Sequence, residues 1–195
     1  MGINIPNAVR FEVTYFIGVD LGQRGSHTAF VVLERFDEQP DFTDVLRGQG
    51  MRRRYIVRQA ERVALGTPYN EVIQRLNQIV GRLSPRGLCV VVVDESGGGV
   101  PVVESMRREL VGCRIVPIMI TSGQTASGTS VPRAMLITKM QVMAERDELE
   151  IASGCRDGEA LVRELAHLTL DRNRDGERDD LAMALSLASW RAKVR

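Results

Sequence analysis

The fold class this sequence predicts is mixed α/β: a central sheet of three antiparallel strands followed by parallel ones, flanked by helices. Three observations predict it. Near the start, three strand-like segments follow one another with short links between them. In the middle of the chain a wholly apolar run, residues 88–93 (LCVVVV), stops at Asp94, and a strand apolar on both faces belongs at the centre of a sheet covered on both sides. Beyond that run, strand-like and helix-like periodicities alternate, the pattern of parallel crossovers, which are right-handed by rule.

Taken in order, residues 15–20 (YFIGVD) read as a buried strand ending at an acid, 22–25 as a turn, and 28–33 (TAFVVL) as a second strand, so that the two make a hairpin. Residues 37–50 read as polar and irregular. Residues 53–58 read as a third strand with Tyr55 and Val57 on one face. Pro68 suits the start of a helix whose apolar residues, Tyr69, Val72, Ile73, Leu76, Ile79, Val80 and Leu83, recur at helical spacing. Ser84-Pro85-Arg86-Gly87 ends it. After the strand 88–94, Gly97-Gly98-Gly99 is a sharp turn, 100–110 a helix and 113–118 a strand. Residues 121–129, rich in Gly, Ser and Thr, read as a mobile loop. Pro132 opens a helix to about residue 146, striped by Met135, Leu136, Met140 and Met143. Residues 149–151 read as a short strand and 158–168 as a helix, with a polar loop from 170 to 177. A final apolar helix, 181–190, begins at Asp179-Asp180.

With 195 residues, 44% of them hydrophobic, the chain suits one domain with its own core, taken here as residues 1–195. Lys and Arg number 26 against 25 Asp and Glu. That balance excludes a bulk polycation but not a local basic face. Only Lys139 and Lys193 are Lys; the rest are Arg, which suits bidentate phosphate contacts. The three cysteines, Cys89, Cys113 and Cys155, are far apart and form no CxxC. With no apolar leader in residues 1–10 and no apolar stretch long enough to span a bilayer, they point to a reducing, cytoplasmic setting and no membrane.

The chemistry is carried by acids. Two apolar strands each end in Asp, Asp20 and Asp94, and a third acidic cluster, Asp179-Asp180, opens the last helix. If the two strands lie side by side and parallel, their ends share one edge of the sheet, and the first turn of the last helix can face it. Clustered carboxylates resist ionising together unless a cation neutralises them. Hard oxygen ligands select Mg²⁺ or Mn²⁺, and two such ions about 3.5–4 Å apart serve phosphodiester hydrolysis. That chemistry needs no His or Cys nucleophile; His27 and His167 read as structural. Singly, an Asp at a strand end is a turn former, and Asp179 or Asp180 a helix cap. Their joint pattern is what points to a metal site.

The stretch Gly18-Val19-Asp20-Leu21-Gly22 followed by Thr28-Ala29-Phe30-Val31-Val32 resembles the first hairpin of phage large-terminase nuclease domains. Residues 91–99 (VVVDESGGG), with Val102-Val103, resemble their second acidic strand and glycine turn. Residues 177–188 (ERDDLAMALSLA) resemble their third motif, an acidic start to an alanine-rich helix, and Val131-Pro132-Arg133 resembles the segment between the second and third. The resemblance spans residues 15–190. It implies a ribonuclease H-like fold and metal-dependent cleavage of double-stranded DNA during packaging. It places Asp20, Asp94 and the pair Asp179–Asp180 as ligands of Mg²⁺ or Mn²⁺. Arg178 stands where the family often has His. Glu95 is a reserve ligand on the opposite face of the strand.

The family's ATPase motor is absent from these residues: Gly123-Gln124-Thr125-Ala126-Ser127-Gly128-Thr129-Ser130 copies the P-loop spacing without its lysine. No nucleotide cofactor is expected, and the chain is either an excised nuclease domain or a stand-alone relative, for which a motor domain or small terminase subunit and a portal would be partners in trans. The setting this implies is a phage or prophage protein in the bacterial cytoplasm. For DNA, the candidates are Arg24, beside the first acid, the run Arg52-Arg53-Arg54, which with Arg58 and Arg62 makes the densest basic stretch, and Arg133. Three alternatives stay open. A Holliday-junction resolvase shares the fold and acids but is specific for four-way junctions. An actin-like ATPase shares the strand–Asp–Gly start but needs two such domains. A non-catalytic DNA-binding or packaging module would keep the fold alone.

Overall fold

The computed structural model describes residues 12–22, 25–38, 46, 52–96, 99–170 and 178–193. The chain runs β1 (Glu12–Asp20), β2 (Ala29–Glu38), β3 (Arg52–Arg62), α1 (Tyr69–Leu83), β4 (Leu88–Asp94), α2 (Val100–Glu109), β5 (Cys113–Thr121), β6 (Ser130–Pro132), α3 (Arg133–Glu145), β7 (Leu149–Ile151), α4 (Gly158–His167) and α5 (Asp180–Lys193). The strands form one sheet in the order β6-β5-β4-β1-β2-β3-β7. The meander β1–β2–β3 is antiparallel, and β4, β5 and β6 add in parallel beyond β1. This is the mixed sheet expected.

Alternation along the strands divides the core in two. Tyr15, Ile17 and Val19 of β1 join Phe30 and Val32 of β2 and Cys89, Val91 and Val93 of β4 on the face covered by α1 and α2. Phe16 of β1, Ala29, Val31 and Leu33 of β2, and Val90 and Val92 of β4 face the other way, onto α3, α4 and α5. Both faces of β4 are therefore covered, as its unbroken apolar run requires. Helix α1 buries Val72, Ile73, Leu76, Ile79 and Val80, the stripe its periodicity predicts, while Tyr69 at its start is 40% exposed.

Helix α5 is buried almost throughout. Small residues on it let its backbone approach the sheet closely. Gly18 of β1 lies beneath Ala184, so close that a Cβ on Gly18 would stand 1.8 Å from the Ala184 carbonyl oxygen. Trp190 packs partly buried at the margin of the same core.

Several elements depart from the sequence reading. Strands β2 and β3 run on past their apolar stretches, and Asp37, expected in an irregular segment, lies in β2. The extension is held by cross-strand charge pairs, Arg53 on Asp37 at 2.6 Å and Arg58 on Glu34, which substitute for apolar contacts where the ribbon leaves the core. Glu38 follows Asp37 in β2, and apart from Leu46 residues 39–50 fall outside the described residues. Strand β6 was not expected: residues 130–132 pair with Met119–Thr121, and the loop before it folds back in a turn in which Ser127 and Ser130 exchange backbone hydrogen bonds and Gly128 takes φ +58°. Strand β7 pairs in parallel with β3, so α3 carries the chain from one edge of the sheet to the other.

The register between β2 and β3 slips once. Leu33 pairs with Val57 but Val32 pairs with Gln59, which leaves Arg58 as the extra residue of a β-bulge. The slip reverses which residues face which side. Tyr55 and Val57 face α5 before it, and Ala60 faces α5 after it.

Cys89 is fully buried on β4, and burial pushes its thiol up to about 11. The thiolate is the reactive form, so Cys89 of the native protein should resist a thiol reagent at pH 8 and react in full once guanidinium unfolds the chain. Native-state labelling of Cys89, located by peptide mapping, would contradict this placement.

Candidate active site

Strands β1 and β4 lie side by side and parallel, paired from Thr14 with Leu88 to Val19 with Val93. Asp20 and Asp94 are the next residues of the two strands. Asp20 follows the alternation of Phe16, and Asp94 that of Val90 and Val92, so both carboxylates leave the sheet on the side of α5. Helix α5 begins at that edge. Asp180 is its first residue, and the Asp179 carbonyl accepts the backbone N–H of Met183. The sheet edge and the helix start thus bring Asp20, Asp94, Asp179 and Asp180 together.

The electrostatics report that gathering. The Asp20 carboxyl is held well above the usual carboxylate range, first by desolvation, then by the charges of Asp94, Asp180 and Asp179, with only Arg133 opposing. Asp180, 8% exposed, is also raised, chiefly by burial and against the pull of Arg62. Among the described residues no three acidic, imidazole or thiol groups stand close enough together to hold a metal ion. The donors are nonetheless all hard oxygens, and the burden on Asp20 is one that a divalent cation relieves. The set suits such a cation by its donor chemistry, not by its spacing in this structure.

Each acid is held differently. Asp94 Oδ1 accepts the backbone N–H of Ser96 at 2.9 Å and its hydroxyl at 2.6 Å. The Ser96 hydroxyl oxygen accepts Ile120 N–H at 2.9 Å, which ties this turn to β5. Asp179 Oδ2 accepts Arg133 Nη2 at 2.6 Å. The Arg133 side chain is 12% exposed, its Nη1 lies 2.7 Å from Met183 Sδ, and its Nε is buried without a hydrogen-bond partner. A cleft of about 390 Å³ opens beside Arg133, walled by the end of β5 and by Leu170.

Sequence reasoning missed three neighbours of the acids. Arg62, counted only as part of a basic run, sits across β2 from Asp20, since Asp20 pairs with Ala29 and Ala29 with Arg62. Its guanidinium pairs with Glu164 of α4 and lies 3.5 Å from Asp180 Oδ2. Glu164 Oε2 accepts the backbone N–H of Ala182 at 2.9 Å. The one available signal was an acid in the buried stripe of α4 beside Gly158 and Leu161. His27 is structural in that its Nδ1–H donates to the Val63 carbonyl at 2.9 Å, yet its charge reaches Asp180 and favours the carboxylate there.

The basic residues picked for DNA are scattered. Among the described ones only Arg133 is beside the acids. Arg53 and Arg54 are engaged by Asp37 and Glu150 and lie at the far end of β3, nine residues from Arg62 (62 − 53) and so roughly 30 Å from the acid edge. Arg52 opens the same strand. Arg24 lies outside the described residues.

No family model matches this chain, and no curated protein does. Among solved structures, the large terminase nuclease from thermophilic phage G20c, crystallised with bound zinc, matches with a TM-score of 0.57 at 20% identity, over 90% of this chain and 80% of that one. The chain thus has the fold of a phage large-terminase nuclease, the ribonuclease H-like arrangement of a mixed sheet with helices on both faces.

Proposed function

We propose that this chain is a metal-dependent endonuclease of terminase type, hydrolysing DNA phosphodiester bonds at the edge formed by Asp20, Asp94, Asp179 and Asp180. One observation carries the reading: the alternation of β1 and β4 sends both strand-end acids to the face where α5 begins with two more. The solved nuclease of the same fold, with its zinc, supports it.

In this reading Asp20, Asp94 and one or both of Asp179 and Asp180 hold Mg²⁺ or Mn²⁺, two ions by analogy with paired-metal sites, and no nucleotide is required. Bound divalent cations supply an activated water and charge stabilisation for the leaving oxygen. The protein's own part is placement. The Ser96 turn fixes Asp94 against β5, so that acid cannot swing away from the edge. Arg133 neutralises Asp179 and lines the cleft, where its fork suits a phosphate of the cleaved strand. Arg24, four residues after Asp20 in the sequence, is a second candidate for that strand. Contacts by Arg52, Arg53 and Arg54 are restricted to duplex far from the cut and would add a salt-dependent, sequence-independent contribution. Double-stranded DNA is the substrate, and an ATPase motor domain, a small terminase subunit and a portal are the packaging partners we assign, whether the motor lies on this chain or another. We place the single nuclease domain, residues 1–195, in the cytoplasm of a phage-carrying bacterium; among the described residues no helix is long and apolar enough to cross a membrane.

The test is incubation with supercoiled plasmid in Mn²⁺ and in EDTA, beside Asp94→Ala. Nicking or linearisation by the wild type, in Mn²⁺ alone and lost in the variant, is the expected result. A folded wild-type protein that leaves plasmid intact in Mn²⁺ sinks the reading of this chain as a self-sufficient nuclease.

A further inference from the structure

The bulge at Arg58 has a local consequence. Without it, Arg62 would share the side of β3 that faces α1, because strand positions alternate. With it, Glu61 takes that side, where Arg75 of α1 meets it at 2.9 Å, and Arg62 turns to the face of α4 and α5. There its backbone N–H is held by Asp157 Oδ2 at 2.8 Å, and its guanidinium bonds Glu164 through Nη2 while its Nε stands 3.5 Å from Asp180 Oδ2, an ion pair without a hydrogen bond. Bulges re-aim side chains in this way beside functional sites.

Glu164 faces two ways. Oε1 takes the Arg62 guanidinium, and Oε2 takes the Ala182 N–H in the first turn of α5. That turn has donors without helical partners. The residue best placed to cap them, Asp179, gives its carboxylate to Arg133 instead. Glu164 therefore supplies the cap from a different helix, and it is 7% exposed while doing so. A buried carboxylate held by an arginine Nη2 and a backbone N–H is firmly anchored.

We propose that Arg62 and Glu164 are positioning residues for Asp180. Together they set where its carboxylate lies relative to Asp20 and Asp94, and so make Asp180, rather than Asp179, the acid of the pair that completes the metal site. This rests on the metal-dependent reading above. Groups that orient a ligand from behind typically change metal affinity by roughly 10- to 100-fold when altered.

The experiment measures Mn²⁺ affinity of the whole chain, from the electron paramagnetic resonance signal of the free ion, for wild type, Glu164→Gln, Arg62→Lys, Asp180→Asn and the double variant Glu164→Gln/Asp180→Asn. Each is first shown folded by circular dichroism at the assay temperature. Glu164→Gln and Arg62→Lys should each bind about tenfold or more weakly, and the double variant should bind no more weakly than Asp180→Asn within about twofold, because a residue acting through Asp180 has nothing to add once that carboxylate is gone. Should Glu164→Gln fail to fold, Arg62→Lys, which leaves the helix cap in place, decides alone. Wild-type affinity in both single variants, or losses that multiply in the double, overturns the positioning role and leaves the nuclease reading standing. A wild-type protein that binds no Mn²⁺ overturns both.

Discussion

Asp20→Asn should leave supercoiled plasmid uncut in Mn²⁺ while melting a few degrees above wild type in EDTA. The first effect follows, on the proposed nuclease reading, from losing a ligand charge at the centre of the acid edge. Metal stabilisation of a phosphoryl transition state amounts to several kcal/mol, so the rate should fall roughly a thousandfold. The second follows from what Asp20 endures. Its carboxyl is desolvated and faces three other acids, a load that an amide of the same shape escapes. About 1 kcal/mol of relief would raise the melting temperature by roughly 2–4 °C in a chain of this length. The sign of the pH dependence is fixed by the same facts. The folded state holds the Asp20 proton more tightly than the unfolded state does, so in EDTA this group's contribution to stability is greatest at acid pH. It is lost as pH rises from about 4 through the raised folded value. The Asn variant should show a flatter profile. Lower stability of the variant in EDTA at neutral pH would show that partners of the Asp20 carboxylate outweigh its repulsions.

Gly18→Ala should be the most damaging single methyl in the described structure. The added Cβ would lie 1.8 Å from the Ala184 carbonyl oxygen and 2.9 Å from the Ala188 nitrogen. Both are backbone atoms of α5 and cannot rotate away. Either the helix moves off the sheet or the domain unfolds. We expect a loss of about 4 kcal/mol or more, beyond the range of ordinary substitutions, read from urea denaturation followed by circular dichroism. Any folded remnant should cut poorly, since lifting α5 carries Asp179 and Asp180 away from Asp20. A loss below about 1 kcal/mol would mean that α5 does not lie against β1 at this point.

How legible the site was depended on the kind of signal each residue carried. Asp20 and Asp94 were legible because each ends an apolar run, and charge after hydrophobicity marks where a strand leaves the core. Asp179 and Asp180 stood out for the opposite reason, charge before an alanine-rich helix. Arg62 and Glu164 carry no such contrast. Arg62 belonged to a run of arginines that looks uniform in sequence, and only the bulge, which depends on the pairing of β3 with β2, sends it to the acids while Arg53 and Arg54 stay at the other end. Pairing of that kind is a tertiary fact. The short strands were hard for a related reason: Leu149–Ile151 could be read as a strand, but neither its partner β3 nor the whole of β6 was written in three residues of local pattern.

The sheet's two margins carry one more meaning. Its longest apolar strands lie inside, and β6 and β7, three residues each, lie outermost. Past their ends, among the described residues, the outer flank of β5 contains Pro117, which has no N–H to offer, and that of β3 contains the bulge at Arg58 and then Arg62, whose N–H is already taken by Asp157. A foreign strand seeking to zip onto either flank would find few matching backbone groups in a row. Concentrated solutions of the folded protein should therefore resist fibril-like growth by strand addition.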